Sequence, residues 1–97
     1  MALTRDFKET IQARVAHDPA FRAELIEKGI ECLLSSDVET GKAVLRDYIN
    51  ATVGFAALGS LTAKSPKSLM RMFAPRDNPQ ARNLFEVLAA LQRCEGV

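Results

Sequence analysis

The stretch FAALGSLTAKSPKSLMR, residues 55–71, decides how the fold of the whole chain is interpreted. Its pattern predicts two short helices joined by a tight turn over residues 62–64. Ser65 and Pro66 mark the start of the second helix, because a serine side chain caps free backbone N–H groups and proline lacks only an N–H that would be unbonded there. Gly59 has no side chain, so we expect it to lie where the two helices approach each other closely.

Apolar residues recur at helical spacing through the rest of the chain, and no segment alternates as a half-buried strand would. We therefore predict an all-α fold, a compact bundle of about six short helices in a single domain over residues 1–97. Residues 1–50 hold the N-terminal helices, and residues 52–93 hold the two helices quoted above and a closing helix.

Residues that favour helix starts and stops set the predicted boundaries. The first predicted helix has the apolar stripe Leu3, Phe7, Ile11 and Val15 and ends near His17, and the second runs from Asp18-Pro19 to Ser35. The third starts with a capping box of Ser36 and Glu39 and closes at Asn50, and the fourth is capped by Thr52. The fifth starts at Ser65, and the last runs from about Pro79 to Arg93, before a frayed end at Gly96-Val97. The predicted core-facing residues are Phe21, Leu25, Ile26, Gly29, Ile30, Leu33, Leu34, Val38, Gly41, Leu45, Tyr48, Ile49, Phe55, Leu58, Leu61, Leu69, Met72, Phe73, Ala81, Leu84, Phe85, Leu88 and Leu91.

The composition is that of a soluble globular protein, with 47% apolar and 26% charged residues. No apolar run reaches the ~18 residues of a membrane helix, and the first ten residues lack the apolar segment of a secretory signal. We therefore expect a cytoplasmic protein that has no membrane contact. His17 is the single histidine, and Cys32 and Cys94 are far apart in sequence, so we predict no enzyme activity, no metal and no cofactor.

Charge is unevenly distributed along a chain whose net charge is only +1. Residues 1–49 carry seven Lys and Arg against nine Asp and Glu, a net charge of −2, and residues 50–97 carry six against three, a net charge of +3. Within residues 52–82 there are five basic residues and one acidic residue, a net charge of +4. Such a patch attracts phosphate backbones, although a solvated basic surface explains the same charges.

The second helix of the quoted stretch has Lys67, Ser68 and Arg71 on one side, with Leu69 and Met72 on the other. One buried side and one polar, basic side are typical of the DNA-reading helix of a helix-turn-helix protein. Arg71 is long enough for a bidentate contact with guanine, which is worth roughly 1–3 kcal/mol of discrimination. The alternatives are that Arg71 pairs with a nearby acid and that the lysines only keep the surface soluble.

The run GSLTAKSPKSLMRMFAPRDNPQARNLFEVLAAL resembles the antidote (antitoxin) proteins of the Hig-type addiction modules, and the resemblance covers about residues 18–93. The family pattern is a leucine and a small residue, then threonine and glycine, then S-x-x-S-L-x-R, a proline-containing loop, G-N-P and a leucine-rich last helix. The matching residues are Leu58-Gly59, Thr62, Ser65, Ser68-Leu69, Arg71, Pro75, Asn78-Pro79 and the stripe from Leu84 to Leu91. Two residues depart from the pattern. Ala63 replaces the turn glycine, which is strained if that residue needs a positive φ, and Asp77 replaces the glycine before Asn-Pro.

The resemblance implies a lambda-repressor-like helix-turn-helix domain with an N-terminal helical extension. It also implies a homodimer that binds a double-stranded DNA operator and represses its own operon, and a RelE-like toxin as partner. In such a protein the recognition helix begins at Ser65, and Asn78, Gln80 and Arg82 hold the phosphate backbone. Together with the basic residues expected near phosphates, the candidate DNA-binding residues are Lys64, Ser65, Lys67, Ser68, Arg71, Arg76, Asn78, Gln80 and Arg82. The alternative is a protein-interaction module with a lambda-repressor-like fold that no longer binds DNA, whose first three helices capture a partner.

Overall fold

A computed structural model of the protein describes residues 13–15 and 17–95, and these residues form helices and connecting turns with no strand among them. Residues 13–15 and 17 are helical, and their Val15 is buried, as predicted. The rest of the predicted first helix and the predicted frayed end lie outside the described residues. The Cα radius of gyration is 12.6 Å, as expected for a folded chain of this length, so the predicted all-α bundle of short helices is confirmed. The helices that follow are α1 Pro19–Leu34, α2 Val38–Ala51, α3 Phe55–Thr62, α4 Pro66–Met72 and α5 Ala81–Glu95.

Two of the predicted helix starts are confirmed by their side-chain caps. Asp18 Oδ1 accepts a hydrogen bond from the Phe21 N–H at 3.1 Å, and Pro19 is the first residue of α1. Ser65 Oγ accepts one from the Ser68 N–H at 3.1 Å, ahead of Pro66 in α4. In both places one side-chain oxygen bonds a backbone N–H that the helix itself leaves free.

The predicted capping box at Ser36 is wrong, because Ser36 ends α1 instead of starting α2. Its φ is 70°, and the N–H of Asp37 donates to the Cys32 carbonyl at 2.8 Å, which closes the last turn of α1. A residue in this left-handed conformation does not have the extended backbone that an N-cap needs. Asp37 is the N-cap instead, and its carboxylate accepts from the Thr40 N–H at 3.4 Å.

Three further predicted boundaries are shifted. Asn50 does not close α2, which runs on to Ala51, and Thr52 does not cap α3, because its hydroxyl donates back to the Tyr48 carbonyl of α2 at 2.7 Å. Gly54, with a φ of 79°, makes the reversal between these helices. The last helix begins at Ala81, two residues after Pro79, since residues 77–80 have no regular secondary structure.

The core lies between α1, α2, α3, α4 and α5 and takes residues from each of them. Leu61 and Phe85 are each 59% exposed, so their predicted burial is wrong. Leu61 lies six residues after the buried Phe55, and Phe85 lies six residues before the buried Leu91. Six residues correspond to about 120° around a helix, so Leu61 and Phe85 point away from the buried side. The other predicted core residues that the structure exposes are Leu34, Val38 and Ala81, which are the terminal residues of their helices, and Val87 is a core residue that the prediction missed.

A polar cluster joins the beginning and the end of the described chain. The Arg22 guanidinium of α1 donates to the Glu95 carboxylate of α5 at 3.0 Å and to the Val15 carbonyl at 2.7 Å. The Tyr48 hydroxyl of α2 also donates to Glu95. Burial, together with this hydrogen bond, raises the pKa of Tyr48 above its usual value. The cluster therefore ties α1, α2 and α5 into the frame that carries α3 and α4.

Candidate nucleic-acid interface

The turn between α3 and α4 depends on one left-handed residue. Ala63 has φ 56° and ψ 36°, and the N–H groups of both Ala63 and Lys64 donate to the Gly59 carbonyl. A Cβ atom at Gly59 would lie 2.6 Å from the Lys64 carbonyl oxygen, so only glycine fits at that position. The close approach predicted for Gly59 is therefore confirmed, and its nearest neighbour is the turn itself. The expected strain at Ala63 is real, because a residue with a Cβ atom occupies a conformation that favours glycine.

The buried side of α4 fixes which of its side chains point outward. Leu69 and the following Phe73 are buried, and the Phe73 ring packs on Phe55 of α3 with 6.3 Å between ring centroids. Met72 is half-buried against the same core. The exposed residues of α4 are Pro66, Lys67, Ser68, Met70 and Arg71. The predicted division between a packed side and a polar, basic side is therefore present, and Met70 adds one apolar side chain to the outer face.

The basic residues of this region differ in whether an acid lies beside them. Lys67, Arg71 and Arg76 are exposed, and within the described part of the chain none of them forms an ion pair. Lys64 Nζ, by contrast, lies 3.1 Å from a Glu86 carboxylate oxygen, and Arg82 Nε lies 3.8 Å from the other oxygen of Glu86. Phosphates that approach this surface would therefore compete with Glu86 for Lys64 and Arg82. For Lys67, Arg71 and Arg76 they would compete with no ion pair of the described residues.

The two serines of the candidate site are bonded to each other. Ser65 Oγ accepts from the Ser68 N–H and donates its own proton to Ser68 Oγ at 2.9 Å. The Ser65 hydroxyl is thus used within the helix start. The two hydroxyls share one hydrogen bond, so one hydroxyl proton of the pair remains for an outside acceptor.

A shallow cleft lies between the exposed side of α4 and the loop over residues 73–80. Its volume is about 250 Å³, and its lining residues are Ser68, Arg71, Met72, Asp77, Asn78 and Pro79. Three of the predicted site residues, Ser68, Arg71 and Asn78, are therefore brought together. Gln80 and Arg82 are exposed further along the chain and do not line this cleft.

Lys42 is part of this region and was missed by the sequence analysis. It is only 2% exposed, and its ammonium group donates to the backbone carbonyls of Ala74 at 2.7 Å and Asp77 at 2.6 Å. Its spacing from Leu45 and Ile49, three and seven residues away on α2, places it on the buried stripe of that helix. That spacing was the available signal, but a lysine is seldom fully buried, and Lys42 is not among the predicted core residues.

The remaining candidate groups are isolated in space. His17 and Cys94 are exposed and Cys32 is buried. Among residues 13–15 and 17–95, no cluster of three or more His, Cys, Asp or Glu side chains could hold a metal ion. None of the helices described is both long and apolar enough to cross a membrane.

Comparison with protein-family models, with curated proteins and with solved structures gives no match to this chain. Function is therefore inferred from the surface formed by α4 and the loop 73–80, together with the sequence resemblance.

Proposed function

We propose that the protein is a sequence-specific, double-stranded DNA-binding transcriptional regulator of the antitoxin type, which represses its own operon. The observation that carries this proposal is the outer side of α4. There Lys67 and Arg71 are exposed and have no acidic partner among the described residues, while Leu69 packs the opposite side into the core. A short helix held firmly from behind, with free cations in front, suits insertion into a major groove.

Each exposed group has a role that matches its chemistry. Arg71 reads guanine through a bidentate contact, and the exposed Ser68 hydroxyl bonds a base or a phosphate. Lys67 and Arg76 bind phosphates and supply most of the salt-sensitive affinity, since neither has to leave a carboxylate first. Lys64 and Arg82 contribute less, because Glu86 already partly neutralises both of them. The protein acts by occluding the promoter, with no chemical step.

The homodimer that the sequence resemblance implies fits a palindromic operator. One chain has a single α4, and a palindromic operator presents its half-sites about 34 Å apart in successive major grooves. Two copies of the chain read both half-sites. The sequence resemblance implies a RelE-like toxin as partner, and a regulator of its own operon acts where that operon is transcribed, in the cytoplasm.

The test is binding to a labelled DNA fragment from upstream of the gene, measured by fluorescence anisotropy over a salt series with random DNA as competitor. A specific regulator binds tightly in the presence of competitor, and log K falls with log salt by about 0.9 per phosphate contact. Arg71→Ala is expected to reduce the preference for the specific fragment, while Lys67→Ala weakens binding to all sequences alike. Lys28→Ala, at an exposed lysine of α1, is the matched control and should leave binding unchanged.

Two results would overturn the proposal. One is binding that random competitor abolishes, which would reduce the region to a non-specific basic patch. The other is an Arg71→Ala variant with unchanged affinity and unchanged preference, which would show that α4 does not read DNA.

A second candidate function is the protein-interaction module, and the corner between α1 and α2 favours it. Leu34 is 76% exposed and Val38 is 42% exposed, and the exposed acids Glu31, Asp37 and Glu39 lie close to them in sequence. Exposed apolar residues among charges are typical of a contact surface for another protein. Under this function, Leu34→Lys abolishes capture of the protein encoded by the neighbouring gene, and Lys67→Ala has no effect on that capture.

A further inference from the structure

The buried ammonium group of Lys42 holds both ends of a β-turn on the candidate interface. The Asp77 N–H donates to the Ala74 carbonyl at 3.3 Å, which closes a four-residue turn with Pro75 and Arg76 at its corner. Lys42 Nζ bonds the carbonyls of Ala74 and Asp77, the first and last residues of this turn. Because both carbonyls point inward to a buried group, the corner residues project outward, and Pro75 and Arg76 are both exposed.

The hydrogen bonds of Lys42 are the strongest contacts that hold this turn. A buried charge is tolerated only where hydrogen bonds replace its hydration, and bonds from an ammonium group are stronger than those between neutral groups. No acidic group of the described chain forms an ion pair with Lys42, so the two carbonyls are its partners. The anchor is rigid, since Leu45, the next residue on the buried side of α2, is fully buried.

We propose that Lys42 is a positioning residue for DNA binding. Its ammonium group fixes the 74–77 turn and thereby holds Arg76, at the corner of the turn, outward where a phosphate can meet it. The inference rests on the proposed DNA-binding function. Lys42 itself does not touch DNA, and its buried positive charge lies directly behind the surface that meets the phosphates.

The first test is made on the free protein and needs no DNA. In Lys42→Met, a side chain of similar length without the ammonium group, the Asp77 amide should exchange with deuterium at least tenfold faster than in the wild type. Ile26→Val is the control, because it removes one buried methyl group of α1 and lowers the stability without changing Lys42 or the turn. In that variant the exchange of the Asp77 amide should rise no more than that of the core amides. Unchanged exchange at Asp77 in Lys42→Met would show that the ammonium group does not hold the turn.

The second test measures DNA binding at a temperature at which all variants are folded. Lys42→Met should bind the specific fragment about tenfold more weakly, as expected from the loss of a charge-assisted contact, with a salt slope lower by about one and an unchanged preference over random DNA. Ile26→Val should bind like the wild type. Native affinity in Lys42→Met, despite faster exchange at Asp77, would overturn the positioning role.

A double-mutant cycle covers the case in which Lys42→Met does not fold. Arg76→Ala changes an exposed side chain and should give the same losses of affinity and salt slope on its own. If Lys42 acts through Arg76, Lys42→Gln combined with Arg76→Ala should lose no more affinity than either single variant. Additive losses would overturn the proposal. If the wild type binds no specific DNA at all, the DNA-binding function fails with it, and the exchange experiment still reports whether Lys42 holds the turn.

Discussion

Ala63→Gly should make the protein more stable, although it replaces a good helix former by the most flexible residue. Ala63 has φ 56° and ψ 36°, a conformation that is unfavourable by about 1–2 kcal/mol for a residue with a Cβ atom and carries no such penalty for glycine. Against this, glycine makes the unfolded chain more flexible, which costs about 0.5–1 kcal/mol. The difference is a gain of about 0.5–1 kcal/mol in the free energy of unfolding, or about 3–6 °C in Tm for a domain of this size.

The assay is urea unfolding followed by circular dichroism, with Ala57→Gly as the matched control. Ala57 is an exposed residue inside α3 and has no left-handed strain to relieve, so the same substitution should destabilise by about 1 kcal/mol there. The two variants are thus expected to move the urea midpoint in opposite directions with unchanged m-values. If Ala63→Gly destabilises as much as Ala57→Gly does, Ala63 is not left-handed and the turn that sets the direction of α4 is wrong.

Three further predictions test the frame and the turn, each by urea unfolding. The pKa of Tyr48 is raised in the folded protein, so this phenol stabilises the fold fully below about pH 10, and above that pH the free energy of unfolding falls by up to about 1.4 kcal/mol per pH unit. Tyr48→Phe should lack this alkaline loss of stability. An equal pH dependence of stability in the variant and the wild type would contradict the prediction. Gly59→Ala should destabilise by about 1–3 kcal/mol, because its methyl group meets the Lys64 carbonyl at 2.6 Å, and a neutral effect would mean that the turn is looser than described. Ser65→Ala removes the N-cap of α4 and should lower the free energy of unfolding by about 1 kcal/mol, while Ser60→Ala, at an exposed serine of α3, should change it little. Equal effects of the two substitutions would show that the Ser65 cap does not stabilise α4.

Local chemistry made part of the fold predictable. Asp18-Pro19 and Ser65-Pro66 each combine a capping side chain with a proline, and both start a helix as predicted. The predicted N-cap at Ser36 is wrong because this residue has the left-handed conformation that ends α1. The same residue cannot also have the extended conformation that would start α2. The predicted burial of Leu61 is wrong because Phe55, Leu58 and Leu61 follow each other at steps of three residues, whereas a helix has 3.6 residues per turn. The third of them therefore lies off the buried side of α3.

The candidate site was predictable only where its residues are close in sequence. The exposed side of α4 follows from helical spacing within seven residues. The pairing of Lys64 with Glu86 and the bonds from Lys42 to the 74–77 turn join residues at least 22 positions apart, and no local pattern encodes such distances. Under the proposed function these two contacts also change the expected ranking of the basic residues, since Glu86 would compete with a phosphate for Lys64 and Lys42 would act from the buried side of the turn.

If α4 reads DNA as proposed, its shortness explains why residues that do not touch DNA should matter for binding. A helix of seven residues is too short to be stable alone, so its position depends on what holds its two ends. The Ala63 turn and the Ser65 cap hold the first end, and the buried Phe73 holds the second. A loss of DNA affinity in a variant does not by itself identify a contact, because loosening either end has the same effect. The salt slope and the sequence preference separate the cases: a lost phosphate contact lowers the slope, and a lost base contact lowers the preference. A loosened first end should weaken both together.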